Sequence, residues 1–123
     1  MVLVAHFTQM IVWQKAIELA GKIHDVTKSF PKSEQFELVS QMRRASFSVS
    51  SNIAEGFGRH TVPDKKHKYI QARGELIEVI TGLYYCARVK YLSVQQKDEL
   101  LALATEVHKM LNALITKVQQ RKH

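Results

Sequence analysis

Apolar residues recur at three- and four-residue steps through almost the whole chain, and glycine and proline interrupt this pattern at only a few places. Spacing of this kind puts apolar side chains on one face of a helix. It predicts four helices, over residues of about 8–29, 33–57, 63–91 and 94–120. No segment has the strict alternation of a half-buried strand, so the pattern predicts an all-α protein.

Local signals support these boundaries. Pro31 follows the first helix, and the residue before a proline is pushed out of the α-helical conformation. Gly56 and Gly58 mark the end of the second helix, because glycine is common where helices stop. Ser93 and Gln96 have the spacing of a capping box, in which each side chain bonds the other residue's backbone amide. The fourth helix should therefore begin immediately after Ser93.

Connections of about three to six residues favour antiparallel neighbours. We therefore expect a single domain over residues 1–123, an antiparallel up-down-up-down four-helix bundle with a left-handed supercoil. The third helix carries two apolar stripes rather than one. One stripe contains Leu76, Ile80, Leu83 and Ala87, and the other contains Ile70, Gly74, Ile77, Thr81 and Tyr84. The second stripe is either a further contact, such as a subunit interface, or part of a wide core.

The composition agrees with a globular bundle. Of 123 residues, 46% are hydrophobic and 24% are charged, which suffices for a core without disulfides. The only cysteine, Cys86, fits a reducing compartment. The first seven residues lack the basic start of a secretion signal, and no apolar run approaches the roughly 18 residues of a membrane span. We expect a cytoplasmic protein without a membrane role.

Charge adds a candidate function. The net charge is +7, and seven Lys or Arg fall between Arg43 and Arg73 against two acids. Lysines in the first turn of the third helix oppose its dipole, and a bound phosphate would relieve that conflict. The alternative is a solvated run of charge, which costs little. The residues predicted to contact nucleic acid are Arg44, Arg59, Lys65, Lys66 and Lys68.

A second group has a structural interpretation. One arginine of the pair Arg43 and Arg44 should form an ion pair with a carboxylate, because an Arg–carboxylate pair is geometrically specific, and the other should be exposed. Asn52 and Glu55 should fix the end of the second helix rather than perform acid–base chemistry. The residues assigned structural roles are Arg43, Asn52, Glu55, Gly56, Gly58, Arg73 and Gly74.

Catalytic patterns are missing from the sequence. It has no phosphate-binding glycine loop, no dinucleotide-binding glycine motif and no paired histidines of a zinc site. No Glu is followed by His three residues later, as a di-iron bundle requires. We therefore expect a non-enzymatic protein with no metal and no cofactor.

The segments Gln41–Ala45 and Ser50–Arg59 resemble the signature of the 23S rRNA intervening-sequence protein family of bacterial four-helix bundles. Val12–Ala16 and Ala72–Glu78 extend the resemblance along the chain. It implies a ring-like homopentamer with no established enzymatic activity. A similar bundle is the accessory protein of diversity-generating retroelements, which binds nucleic acid and a reverse transcriptase.

Two functions follow as hypotheses. The first is an oligomeric bundle that binds RNA or DNA through a basic surface. The alternative is an oligomeric scaffold that recruits a protein partner, with no nucleic-acid role. The charge concentration favours the first, and the doubled apolar faces of the third helix favour the second.

Overall fold

Four long helices form the chain in a computed structural model, which describes residues 6–121. The helices are α1 (Ile11–Thr27), α2 (Ser40–Gly58), α3 (Val62–Arg88) and α4 (Val94–Gln119). Residues 6–121 contain no strand. Helix α1 packs on α2 and α4, and α3 packs on the same two neighbours. The predicted all-α antiparallel four-helix bundle is confirmed. The start of the chain, on which the expectation of no secretion signal depends, lies partly outside the described residues.

The first helix begins later than predicted. Phe7–Gln9 forms a 3₁₀ turn, and α1 follows from Ile11. His6 caps that turn: its side chain accepts from the Thr8 amide, and its own amide donates to Gln9 Oε1 at 3.1 Å. This local capping separates the turn from the long helix, so the apolar periodicity alone places the boundary too early.

The start of the second helix also differs from the prediction of residue 33. A 3₁₀ turn, Lys32–Glu34, leads into a π-helical segment, Gln35–Val39, and regular α-helix begins at Ser40. A π turn holds one more residue than an α turn, which changes the direction of the side chains that follow. Here Val39 is buried in the core, whereas Phe36 is 94% exposed. The boundary coincides with the buried Val39, and no side-chain cap marks it.

Helix α3 ends at Arg88, three residues before the prediction, because Lys90 takes a left-handed conformation with φ of 68°. The amides of Tyr91 and Leu92 then donate to the Cys86 carbonyl at 2.8 and 3.2 Å.

The capping box that opens α4 is confirmed. The Gln96 amide donates to Ser93 Oγ, and the Ser93 amide donates to Gln96 Oε1, both at 3.0 Å.

The core combines residues from all four helices. Of the two apolar stripes on α3, the first lies in this core. Leu76 and Leu83 of the first stripe are completely buried. The second stripe faces outward along about 21 Å of helix, at 1.5 Å per residue. Its large members are Ile70, Ile77 and Tyr84, which are 38%, 47% and 54% exposed. The second stripe is therefore not part of a wide core in this chain.

Within residues 6–121, no helix is both long enough and apolar enough to cross a bilayer.

Candidate nucleic-acid interface

The end of α2 and the start of α3 pack closely at one end of the bundle. Gly56 permits this contact: a Cβ added there would lie 2.7 Å from Cδ1 of Tyr69 and nearer still to Cε1. Tyr69 is itself buried, and burial raises the pKa of its phenol. Gly56 is therefore required for packing against a ring, in addition to standing near the helix end as predicted.

Lys65 is directed at the carboxyl end of α2. Its ammonium donates to the backbone carbonyls of Phe57 at 2.8 Å and Gly56 at 3.2 Å. These carbonyls belong to the last turn of α2, which carries the negative end of the helix dipole, and the Gly56 carbonyl also accepts from the Arg59 amide at 3.3 Å. Burial first, and the charge of Arg121 second, lower the pKa of the Lys65 side chain. Lys65 thus stabilises α2, and its charge is not in conflict with the dipoles around it.

Lys68 is engaged in a similar way. It forms an ion pair with Glu55 at 3.0 Å, and Arg59 approaches the same carboxylate at 3.7 Å. The hydrogen bond and charge of Lys68 hold the pKa of Glu55 below its usual range. Glu55 therefore ties α2 to α3, as its predicted structural role requires. The electrostatic argument for a bound phosphate loses two of its three lysines, because Lys65 and Lys68 have partners within the chain.

Three other cations at this end do not share the backbone and close ion-pair contacts of Lys65 and Lys68. Arg59 is exposed after α2, and Lys66 on α3 is half-buried without an ion pair among residues 6–121. Arg121 follows α4, and its charge acts on both Lys65 and Tyr69. We refer to Arg59, Lys66 and Arg121 together as the basic end. It draws one cation from the end region of each of three helices.

The sequence analysis did not place Arg121 with these cations. The signal was present, because an up-down-up-down bundle places the end of the fourth helix beside the start of the third. The basic end is not uniformly positive. Glu55 and Asp64 lie with Arg59 along a shallow depression of about 550 Å³ at the α2–α3 turn.

Arg44 lies apart from the other four predicted contact residues. It precedes Arg59 by fifteen helical positions, which is about 22 Å. It makes an exposed ion pair with Glu78 of α3 at 3.6 Å. Arg43 instead bonds neutral groups at the end of α1, donating to the Thr27 hydroxyl at 3.0 Å and the His24 carbonyl at 3.1 Å. Arg44, which forms the ion pair, is therefore the exposed arginine. Arg43 is the inward one, and it stabilises the end of α1.

The remaining structural residues have distinct surroundings. Asn52 stays within α2, donating to the Ser48 carbonyl at 2.9 Å. Arg73 links α3 to α4 by donating to Asn112 Oδ1 at 2.9 Å. A Cβ at Gly58 or Gly74 would meet nothing within 4 Å, so close packing does not require glycine at either position.

Groups suited to covalent or metal chemistry are not gathered here. No set of three His, Cys, Asp or Glu within residues 6–121 is arranged to hold a metal ion. Cys86 is buried, and burial raises the pKa of its thiol to about 11. A thiol with that pKa is almost entirely protonated near neutral pH and is a poor nucleophile.

Comparisons with known proteins agree with the bundle. The family model described as 23S rRNA-intervening sequence protein matches residues 8–113. The chain is similar to a solved protein of unknown function from the S23 ribosomal protein family of Bacteroides thetaiotaomicron, with a TM-score of 0.77 and 24% identity. That similarity covers 85% of this chain and 98% of the other. No curated protein matches the chain. The match over residues 8–113 makes this chain a member of the 23S rRNA-intervening sequence protein family.

Proposed function

We propose that this protein is a non-enzymatic, oligomeric bundle of the cytoplasm that binds RNA or DNA phosphates through its basic end. The observation that supports the proposal is that Arg59, Lys66 and Arg121 come from three helices to one end of the bundle, where Val118 of α4 packs with Tyr69 of α3. Contacts to phosphate need only accessible cations at suitable spacing, and they carry no base specificity. The protein would therefore bind nucleic acid with little sequence preference.

The test is a fluorescence anisotropy titration of a labelled 20-nucleotide single-stranded RNA and a duplex DNA of the same length at low salt. The informative variant is Arg59→Glu/Lys66→Glu, because neither residue has the buried structural contacts of Lys65. We expect its affinity to fall by at least about tenfold, because each substitution replaces a cation that attracts phosphate with a carboxylate that repels it.

The matched control is Lys32→Glu/Lys109→Glu, which reverses two exposed lysines away from the basic end and changes the net charge by the same amount. It changes the net charge without touching the basic end and should bind nearly as the wild type does. Equal losses in both variants would mean that binding follows total charge alone. Absence of binding to either nucleic acid at low salt would contradict the proposal.

Self-association is proposed through the exposed stripe of α3, defined by Ile70, Ile77 and Tyr84. An exposed apolar row on one helix is a common feature of surfaces that contact another protein. The homopentamer implied by the family resemblance would place this stripe against a neighbouring copy. Assembly would also bring several basic ends into one particle, which increases the avidity for a long polyanion. The same stripe supports the alternative function, a scaffold that recruits a protein partner.

A further inference from the structure

A groove of about 540 Å³ lies between the start of α2 and the second half of α3, away from the basic end. Its floor is apolar and includes Leu38, Met42 and Ala45. Gly82 of α3 makes room for this floor, because a Cβ there would come within 2.9 Å of Met42 Cε and nearer still to its sulfur. The volume falls within the range of ordinary binding clefts.

The rim of the groove is acidic. Glu34, Glu37 and Glu78 line it, and none of the described lining residues is Lys or Arg. Glu34 accepts a hydrogen bond from the Tyr91 hydroxyl at 3.0 Å, and Glu37 has no ion pair among residues 6–121. Three carboxylates around one apolar floor contrast with the overall charge of +7.

A second groove in the bundle provides a comparison. It lies between α1 and α4 and includes Glu18 and Glu106. Asp25 and Glu99 line it as well. Three of these four acids have ion pairs, since Lys22 approaches Glu18 at 4.0 Å, Lys28 approaches Asp25 at 3.5 Å and Lys15 approaches Glu106 at 3.4 Å. In the α2–α3 groove, the cation within reach is Arg44, which contacts Glu78 from outside the lining at 3.6 Å. The α2–α3 groove therefore retains more uncompensated negative charge.

One aromatic side chain lines the groove, and a second is next to Glu37 in sequence. Tyr85 lines the groove and is 49% exposed. Phe36 belongs to the π-helical segment that carries Glu37, and it is almost wholly exposed. Aromatic faces attract ammonium and guanidinium groups, and the attraction adds to that of carboxylates.

We propose that the α2–α3 groove docks a segment of a protein partner that presents Arg or Lys next to apolar side chains. The aliphatic stem of such a residue matches the floor of Met42 and Ala45, and its charged head matches the rim. Opposite charges across an interface set its specificity and increase its association rate. Nucleic acid is repelled by the same carboxylates, so this surface is distinct from the basic end.

The probe is a fluorescein-labelled 14-residue helical peptide with Leu and Arg on one face and Ala elsewhere, tested by anisotropy against the full chain. The control peptide carries Glu in place of Arg. We expect saturable binding of the Arg peptide only. Glu37→Gln/Glu78→Gln should weaken binding about tenfold. The matched control, Glu99→Gln/Glu106→Gln in the α1–α4 groove, should leave the affinity within about twofold.

Arg44→Ala provides a test with the opposite sign. Removing this guanidinium frees Glu78 and lowers the positive charge beside the groove, so affinity for the Arg peptide should rise by about threefold or more. No binding of the Arg peptide, or equal losses in the two double variants, would overturn the proposal.

Two other occupants are tested in the same format. The competitors are a peptide of this chain's own residues 57–70 and free spermidine. If either displaces the labelled Arg peptide at a lower concentration than the unlabelled Arg peptide does, the assignment to a protein partner is overturned. RNA titrations use a different surface and a different ligand, so this inference and the proposed function can fail separately.

Discussion

Gly56 and Gly58 lie two positions apart at the end of α2 but differ in what surrounds them. A side chain at Gly56 would enter the space of the buried Tyr69 ring, whereas Gly58 faces open space. Neither glycine has a positive φ, so the difference between them is one of packing.

Gly56→Ala should lower the free energy of unfolding by about 1–3 kcal/mol, because the Tyr69 ring must shift in a filled core. Gly58→Ala should leave it unchanged or raise it by up to about 1 kcal/mol, since alanine favours helix over glycine. Urea unfolding followed by circular dichroism measures both. Equal destabilisation by the two substitutions would contradict the packing role of Gly56.

Lys65 and Lys66 are neighbours in sequence with different roles. Lys65→Met removes the ammonium that bonds the Gly56 and Phe57 carbonyls, which should cost about 1 kcal/mol. Thermal unfolding should then shift downward by about 3–6 °C. Lys66→Met should leave the unfolding temperature nearly unchanged while weakening RNA binding. The assignment of Lys65 is incorrect if its variant loses RNA affinity without losing stability.

At the scale of the helix, α3 has one face for the core and one for solvent. The buried face contains Leu76 and Leu83, and the exposed stripe contains Ile70, Ile77 and Tyr84. A polar substitution on the exposed stripe removes no core contact. It therefore separates assembly from folding.

Ile77→Ser/Tyr84→Ser should reduce the mass measured by light scattering to that of a monomer, with the helical circular dichroism retained. The reason is that burying this stripe against another copy supplies about 25 cal/mol per Å² of apolar surface. The matched control is Ile11→Ser, which alters an exposed isoleucine on α1. An assembly of unchanged mass would exclude the stripe as the interface, as would a monomeric wild type.

The elements that the sequence predicted well are those governed by local signals. The start of α4 follows from Ser93 and Gln96, which are three residues apart and complete each other's hydrogen bonds. The start of α2 does not follow from a local signal, because a π-helical segment precedes it and no side-chain cap marks it. Periodicity distinguishes a helix from a strand there, but it does not distinguish a π turn from an α turn.

At the scale of the whole molecule, the candidate site was only partly predictable. Sequence clustering grouped Arg59 and Lys66 with Lys65 and Lys68, and all four lie at one end of the bundle. Lys65 and Lys68 contact α2 across the turn, which a count of charges along the chain does not reveal. Arg121 was missed because the end of α4 reaches the start of α3 only through packing between residues far apart in sequence, such as Val118 and Tyr69.

The bundle thus separates charge along the α2–α3 pair. One end gathers Arg59, Lys66 and Arg121, and the other has an acidic groove with an apolar floor. With this separation, one chain would be able to bind a polyanion at the basic end and a basic protein segment at the α2–α3 groove. Assembly through α3 would repeat both surfaces around the particle.

The salt dependence of RNA binding tests the central claim most directly. The measurement is the slope of log Kobs against log salt concentration for single-stranded RNA, with the wild type and Arg59→Gln/Lys66→Gln compared. We predict a negative slope for the wild type. The slope of the variant should be less steep by about 0.7 for each phosphate contact that the variant loses. Identical slopes for the two proteins, or a wild-type affinity independent of salt, would contradict a nucleic-acid interface at the basic end.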